Sequence, residues 1–313
     1  MRTRLITLAT LLALAVLPAS AKDKDLAILP DDTFLYAVKG ADSLYLDIYR
    51  PLIKTEEAKP TILFMFGGGF KEGDRVSGAT PWIKSLVERG YPVVSIDYRL
   101  GLKDYKGASL NLRFIKALDR AIGLAVEDLY SATLFLLQIG DWAGVDAGNM
   151  VVCGSSAGAI SVIQGEYEIC NSTLRSTVLP EDFNYAGVMT LAGAIYSHRN
   201  PISFDKEPCP IAMFHGTSDS IVVYNKIAFM NLCFGGSNEI SKRLTKQGIP
   251  HRIYRFKDHN HEVAIYQDYC LDKELDFLEK DVIKGMRSSI DELIDDPDAP
   301  NPHWNFSDFK DLY

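Results

Sequence analysis

Apolar residues follow two kinds of pattern, which succeed each other along the chain. Runs that are apolar throughout, or at every second position, predict strands, whereas apolar residues spaced three and four apart predict helices. Eight runs predict strands, at residues 33–39, 44–49, 61–66, 92–96, 150–153, 186–192, 210–215 and 251–256. Helical spacing predicts helices at residues 81–89, 110–139, 222–233, 238–247 and 262–284, with another directly after residue 156.

The order of these elements predicts the fold class. Strands and helices alternate from residue 61 onwards, which is the pattern of a parallel sheet with right-handed crossovers and helices on both faces. We therefore expect an α/β protein with a doubly wound, mostly parallel eight-stranded sheet flanked by helices. The first two strands should form an antiparallel pair. Only residues 167–184 are available to cover the sheet, so we expect a minimal cap and an open site.

The N-terminal residues have the pattern of a signal peptide. Arg2 and Arg4 precede an apolar run at residues 5–17, and the small residues 19–21 resemble a cleavage site. We assign residues 1–21 to this peptide and expect a secreted or periplasmic protein. An uncleaved anchor is the alternative, although the apolar run is short for a membrane span.

The predicted domain occupies residues 22–287. Residues 288–313 form an acidic C-terminal extension that contains three prolines. Its aromatic residues either dock onto the domain or belong to a disordered tail. These aromatic residues are Trp304, Phe306, Phe309 and Tyr313.

The charge of the chain argues against two classes of partner. The net charge is −8, and removal of residues 1–21 takes away two of the 33 basic side chains and none of the 41 acidic ones, so it becomes −10. An acidic protein without basic runs is a poor match for nucleic acid or an anionic membrane. We expect neither nucleic-acid binding nor stable membrane insertion.

The five cysteines leave more than one state open. Cys153 lies in a predicted buried strand and is expected to be a free thiol. The other four could form up to two disulfides outside the cytoplasm, and their connectivity cannot be derived from spacing. The spacing matches no zinc pattern, so we expect neither a metal nor another cofactor.

A Gly-x-Ser-x-Gly pattern joins a predicted strand to a predicted helix. Gly154 and Gly158 flank Ser156 directly after the strand at residues 150–153. A serine at such a sharp strand-to-helix turn has its hydroxyl lifted clear of the sheet, so Ser156 is the candidate nucleophile. The short pattern is also compatible with an ordinary Gly/Ser loop, and it needs support from elsewhere in the chain.

Two later loops supply a candidate acid and a candidate base. Catalytic side chains of an open α/β sheet lie at the carboxyl ends of its strands. Asp219 follows the strand at 210–215, where it could orient a base or simply cap the next helix. Two histidines follow the last strand, and we favour His261 over His259 because it lies where the loop meets the helix. The remaining histidines, His198, His215, His251 and His303, have no predicted role.

Three consecutive glycines follow the strand at residues 61–66. Glycines let the backbone approach a substrate and turn N–H groups towards one point. Gly68 and Gly69, together with Ala157 after the candidate nucleophile, are therefore candidates for an oxyanion hole. A plain glycine turn is the alternative.

Taken together, these motifs resemble the α/β-hydrolase carboxylesterases, particularly the hormone-sensitive-lipase-like and exported bacterial esterase branches. The resemblance rests on Gly-Gly-Gly-Phe at 67–70, Asp-Tyr-Arg-Leu at 97–100, Gly-Val-Asp at 144–146, Gly-Ser-Ser-Ala-Gly at 154–158, His-Gly at 215–216 with Asp219, and His261. It implies a Ser156–His261–Asp219 triad and an oxyanion hole of Gly68, Gly69 and Ala157. One position departs from the family, which usually has histidine before the glycine triplet where this chain has Phe66.

The resemblance implies a carboxylesterase-type serine hydrolase that works through an acyl-enzyme. An open cleft, export and a negative surface suit a bulky neutral ester, such as an acetylated or feruloylated carbohydrate, better than a membrane lipid. A serine peptidase of the prolyl-oligopeptidase type is one alternative, although the chain has no room for the shielding domain typical of those enzymes. A non-catalytic binding protein with the hydrolase fold is the other. The oligomeric state is not predicted.

Overall fold

The computed structural model describes residues 28–53, 55, 57–76, 80–107 and 111–300. The predicted signal peptide and the four aromatic residues of the C-terminal extension lie outside these residues. Twelve strands occur within them. In chain order they are β1 (Asp32–Lys39), β2 (Asp42–Tyr49), β3 (Thr61–Met65), β4 (Val93–Ile96), β5 (Met150–Ser155), β6 (Gly187–Leu191), β7 (Ala194–Ser197), β8 (Ile211–Gly216), β9 (Lys226–Phe229), β10 (Leu232–Gly236), β11 (Arg252–Phe256) and β12 (Ile290–Ile294).

Nine of these strands form the main sheet, in the order β1-β2-β4-β3-β5-β6-β8-β11-β12. The pairs β1/β2 and β2/β4 are antiparallel, and every other pair in this sheet is parallel. All eight predicted strands are present, and the predicted fold class is confirmed. The ninth strand, β12, belongs to the segment expected to extend beyond the domain, and it pairs with β11 at the edge of the sheet.

The helices pack on the faces of this sheet. The α-helices are α1 (Thr80–Val87), α2 (Leu112–Ala143), α3 (Ala157–Cys170), α4 (Ser237–Lys246) and α5 (Gln267–Phe277). Shorter helical turns are the 3₁₀ segments Leu174–Val178 and His261–Ile265 and the π segment Leu278–Ile283. The side chain of Asn111 caps α2 by accepting the N–H of Phe114, and Gly144, with φ of 75°, ends it.

Helix α2 is apolar enough to deserve comparison with a membrane span. Within the described residues, Leu112–Gly140 is the one stretch that is long and apolar enough to cross a bilayer. Its most apolar window is 56% buried inside the protein. Core helices of globular proteins have the same composition.

The predicted helix at residues 222–233 is wrong. This segment contains β9 and the start of β10, which form a hairpin through Met230 and Asn231. The hairpin joins β7 in a separate antiparallel sheet of order β7-β10-β9. Its pairing partner β7 is distant in sequence, so spacing of apolar residues within the segment could not distinguish strand from helix.

The five cysteines are all buried, and all are free thiols in the described structure. Cys170 Sγ donates to Glu166 Oε1 at 3.3 Å. Burial raises the pKa of the Cys153 thiol well above its ordinary value. These side chains therefore behave as parts of the core.

Candidate functional site

The turn between β5 and α3 holds Ser156 in an unusual backbone conformation. Its φ is 49° and its ψ is −114°, a region that residues other than glycine rarely adopt. The turn also needs its two glycines. A Cβ at Gly158 would lie 2.1 Å from the carbonyl oxygen of Met65, and one at Gly154 would lie 2.4 Å from the carbonyl carbon of Gly158. The local sequence therefore allows a close turn that other residues would obstruct.

A hydrogen-bonded line connects Ser156 to the two residues predicted to assist it. Ser156 Oγ lies 2.8 Å from His261 Nε2, and His261 Nδ1 lies 2.8 Å from Asp219 Oδ2. A carboxylate only accepts hydrogen bonds, so Nδ1 carries the proton towards Asp219. In the neutral ring, Nε2 is then free to accept the proton of the serine hydroxyl. All three side chains are buried.

Asp219 is held as an ionised carboxylate. Its Oδ1 accepts the backbone N–H groups of Ile221 and Val222, each at 2.9 Å. Burial alone raises the pKa of Asp219, but the charge of His261 and hydrogen bonds from His215 and His261 outweigh it. The pKa of Asp219 therefore lies well below its usual range, and the group is an acceptor at any working pH.

Two side chains, those of Asn260 and Ser155, fix the loops that carry Asp219 and His261. Asn260 Oδ1 accepts the backbone N–H of His261 at 2.9 Å and that of Ser220 at 2.8 Å, so one side chain ties the two loops together. The hydroxyl of Ser155 donates to the carbonyl of Ala264 at 2.6 Å. Neighbours in sequence of all three candidate residues thus hold one another in place.

His259, the alternative histidine, lies in a different environment. Its Nδ1 is 3.1 Å from Glu262 Oε1 and 3.1 Å from the hydroxyl of Tyr266. The ring is half-buried and packs edge-on against Phe256. The imidazole that the structure brings to Ser156 is that of His261.

The glycine turn lies beside the candidate nucleophile. Strands β3 and β5 are neighbours, with Met65 paired to Gly154, so the loops that follow them meet. A Cβ at Gly67 would lie 3.3 Å from Ser156 Cβ. Gly68 and Gly69 have φ of 121° and 61°. Positive φ at both positions suits glycine and would strain any other residue.

Ala157 is the third candidate for the oxyanion hole. It is the first residue of α3, and the first N–H groups of a helix have no acceptor within the helix. The positive end of the helix dipole lies at the same place. A helix N-terminus, which favours negative charge, therefore begins directly after Ser156.

Phe66, where the family usually has histidine, is supported by Tyr98. The two rings stack with centroids 4.4 Å apart. The Tyr98 hydroxyl donates to the carbonyl oxygen of Phe66 at 2.8 Å, immediately before the glycines. On the other side, a Cβ at Gly73 would lie 2.6 Å from the Phe66 ring, so the ring is tightly enclosed. An aromatic stack and a phenol hydroxyl support the turn here.

His215 lies next to this site although the sequence-based prediction gave it no role. Its Nε2 is 3.2 Å from Asp219 Oδ2, and its Nδ1 is 2.8 Å from Ser237 Oγ. The available signal was its place at the end of β8, four residues before Asp219. Position alone could not reveal the contact, because side chains alternate between the two faces along a strand.

A cleft of about 710 Å³ is lined by residues on either side of the glycine turn, and neither Ser156 nor His261 is among its lining residues. Phe66 and Gly73 form part of its wall, and Tyr98, Tyr105 and Leu100 form another part. Its volume is in the range of small-molecule sites. Within the described ranges, no group of three or more His, Cys, Asp or Glu side chains is arranged to hold a metal ion.

Comparisons with known proteins agree with this architecture. The BD-FAE family model matches residues 46–168, which include the glycine turn and Ser156. The chain is 26% identical to Secreted lipase 1 of Botryotinia fuckeliana over 68% of this chain and 33% of that protein. It is 31% identical to Esterase LipI of Mycobacterium tuberculosis over 36% and 30%, and 30% identical to Fumonisin B1 esterase of Sphingopyxis macrogoltabida over 38% and 22%. The chain thus spans a third or less of these curated relatives.

A solved structure with the same fold is that of a propionate-bound esterase, Est2, from Thermogutta terrifontis. The TM-score is 0.56 at 19% sequence identity, and the match covers 79% of this chain and 93% of that one. The paraoxon-phosphorylated form of the same esterase matches with a TM-score of 0.56 at 17% identity over the same shares of both chains. At these identities the likeness concerns the fold.

Proposed function

We propose that this chain is an α/β-hydrolase carboxylesterase that hydrolyses carboxylic esters with Ser156 as its nucleophile. The observation that carries the proposal is the pair of 2.8 Å contacts that connect Ser156, His261 and Asp219. A nucleophile, a base and an orienting acid in that order are what acyl transfer requires. The similar lipases and esterases support the same reaction class.

In the first half of the reaction, Ser156 Oγ attacks the ester carbonyl carbon while His261 Nε2 takes its proton. Asp219 stays ionised and stabilises the imidazolium of His261 by accepting its Nδ1–H. The carbonyl oxygen becomes an oxyanion, and the amides of Gly68, Gly69 and Ala157 are the proposed donors to it. Each such donor typically lowers the barrier by about 3 kcal/mol. His261 then protonates the departing alkoxide, and the acyl group stays on Ser156.

In the second half, water replaces the alcohol. His261 removes a proton from the water, the resulting hydroxide attacks the acyl carbonyl, and Ser156 leaves with the proton from His261. The same oxyanion donors serve both halves. The step needs no cofactor, because proton transfer and charge stabilisation are its only demands.

We assign the alcohol part of the substrate to a carbohydrate, as the acetylated or feruloylated ester expected from the sequence. The cleft of about 710 Å³ lined by Phe66 and Gly73 has room for a sugar ring, and Tyr105 in its wall offers an aromatic face. Secretion fits this substrate, and the similarity to a secreted lipase and the N-terminal signal pattern support it.

A panel of esters tests the proposal. It contains p-nitrophenyl esters from acetyl to long acyl groups, acetylated and feruloylated sugars, and aminoacyl amides, each assayed with the wild type and with Ser156→Ala. We expect hydrolysis of esters, a preference for sugar-linked ones, and loss of at least about 10³-fold in kcat in the variant. Equal hydrolysis by the variant would contradict the role of Ser156. Preferred cleavage of the amides would favour a peptidase.

A further inference from the structure

His215 is a buried imidazole that has no role in the reaction proposed above. It is the penultimate residue of β8, and its side chain is fully enclosed. Tyr224 packs edge-on against the ring, with centroids 5.5 Å apart. A buried polar ring must have its nitrogens satisfied, so its partners indicate what it does.

Both nitrogens of His215 have defined partners. Nε2 lies 3.0 Å from the carbonyl oxygen of Val222 and 3.2 Å from Asp219 Oδ2. Both of these oxygens can only accept a hydrogen bond, so Nε2 carries a proton whether the ring is neutral or charged. Nδ1 lies 2.8 Å from Ser237 Oγ, at the start of α4, which fixes the orientation of the ring.

Asp219 therefore has four N–H groups around it in two pairs, one of which, that of His215 Nε2, is shared with the carbonyl oxygen of Val222. Two backbone N–H groups hold Oδ1, and two imidazoles, His261 Nδ1 and His215 Nε2, converge on Oδ2. The amides bind Oδ1, and the contacts of Oδ2 with side chains are those with the two imidazoles. The direction in which Oδ2 points decides where the ring of His261 lies, and with it the position of Nε2 relative to Ser156.

We infer that His215 is a positioning residue for the reaction proposed above: its Nε2–H holds Oδ2 of Asp219 in line with Nδ1 of His261. The inference rests on the proposed function of Ser156, because it concerns the efficiency of that site. His215 touches neither substrate nor nucleophile and acts through Asp219. The hydrogen bond from His215 is also among the causes that lower the pKa of Asp219.

Three variants separate positioning from packing. His215→Gln keeps an N–H donor near the place of Nε2, His215→Asn keeps a polar group near Nδ1 and Ser237 but loses the donor to Asp219, and His215→Leu loses both. We expect kcat to fall by about 10- to 100-fold in the Asn and Leu variants with little change in KM, since displacements of about 1 Å at a catalytic group have effects of this size. The Gln variant should stay within a few-fold of the wild type.

The pH dependence provides a readout that packing would not change. Without the donor from His215, Asp219 is a stronger acceptor and holds the proton on His261 more tightly. The acidic limb of kcat/KM should therefore move to higher pH in the Asn and Leu variants and stay in place in the Gln variant. Thermal melting and titration of reactive Ser156 with a fluorophosphonate correct each rate for the folded fraction.

The outcomes are distinct. Wild-type rates and pH limbs in all three variants, or a Gln variant as slow as the Leu variant, would overturn the inference. If the Leu variant does not fold, the comparison of Gln with Asn still decides. A wild type that hydrolyses no ester and does not react with the fluorophosphonate would instead remove the proposed function, and the inference with it.

Discussion

One phenol hydroxyl contacts the backbone directly before the glycine turn beside Ser156. Tyr98 donates to the carbonyl of Phe66, one residue before the glycines, and its ring stacks on the Phe66 ring. The hydrogen bond fixes the backbone from which the turn begins. The oxyanion donors proposed at Gly68 and Gly69 must be in place before the charge develops, because their benefit comes from preorganisation.

Tyr98→Phe should slow the reaction without weakening substrate binding. The variant keeps the stacked ring and removes the hydroxyl that donates to Phe66, so we expect kcat to fall about 10-fold with KM little changed. Steady-state kinetics on a p-nitrophenyl ester measure this. Tyr130→Phe is the matched control, because it also removes a buried 2.8 Å hydrogen bond from a tyrosine hydroxyl to a backbone carbonyl, that of Gly165.

Both variants should lose about 1 kcal/mol of unfolding free energy, the typical net value of such a bond. Only Tyr98→Phe should lose activity. Equal kcat values for the two variants would mean that the glycine turn does not depend on the Tyr98 hydroxyl.

Residues of the candidate site differ in how far the sequence could predict them. Ser156, Asp219 and His261 each follow a predicted strand, so the fold class alone indicates that they converge at one edge. His215 lies inside a strand, where the apolar run suggests a core residue. Its contact with Asp219 depends on the path of the loop between them, and no pattern in the sequence encodes that path.

The hairpin of β9 and β10 is the element whose type the sequence predicted wrongly, as a helix. All four residues of β9 are exposed. A strand without a buried face needs no alternation of polar and apolar side chains, so its sequence carries no strand pattern. Met230 adopts φ of 54° in the turn, a conformation usually taken by glycine or asparagine. The hairpin therefore lacks the usual sequence signal, and the pairing with β7 that stabilises it is distant in sequence.

Strand β12 contributes to the sheet through one face. Ile294 is buried, whereas its neighbour Leu293 is 58% exposed, as expected for side chains that alternate along a strand. Ile294→Ala should lower the unfolding free energy by about 2 kcal/mol because it removes buried apolar volume. Leu293→Ala, the matched control, should change it by less than about 0.5 kcal/mol. Urea denaturation measures both, and equal losses would contradict the docking of β12 through Ile294.

In the whole molecule, one sheet edge gathers residues from distant parts of the chain. The glycine turn, Ser156, Asp219 and His261 follow β3, β5, β8 and β11, which all run parallel. The alternation of strands and helices was enough to predict this edge. Distances within it depend on side-chain contacts such as those of Asn260, which only the structure reveals.

The stability of the whole molecule should depend on pH through a buried acid on α5. Glu274 is fully enclosed; its Oε2 accepts the indole N–H of Trp82 on α1 at 2.6 Å. Burial raises the pKa of Glu274 from an ordinary 4.5 to about 8, although the hydrogen bond from Trp82 lowers it. Between about pH 4.5 and about pH 8, Glu274 is protonated in the folded protein and ionised in the unfolded chain. The contribution of Glu274 to the unfolding free energy therefore decreases from about pH 4.5 to about pH 8.

Glu274→Gln should remove this part of the pH dependence. An amide has no charge to bury, so we expect the Tm of the variant to fall by several degrees less than that of the wild type between pH 5 and pH 9. The slope is diagnostic and the absolute Tm is not, because the new amide N–H groups bring a cost that is independent of pH. Asp272→Asn, on the exposed face of the same helix, should follow the wild-type slope. Parallel curves for all three proteins would contradict a neutral buried Glu274.

The most direct test of the central claim is the mass of the acyl-enzyme. The wild type is mixed with p-nitrophenyl acetate, quenched in acid within the first turnover, digested and analysed by mass spectrometry. We predict an acetyl group on the peptide that contains Ser156, formed together with a burst of p-nitrophenol. Ser156→Ala should give neither the adduct nor the burst. An acetyl group on another residue, or hydrolysis that continues in the variant, would contradict the role of Ser156.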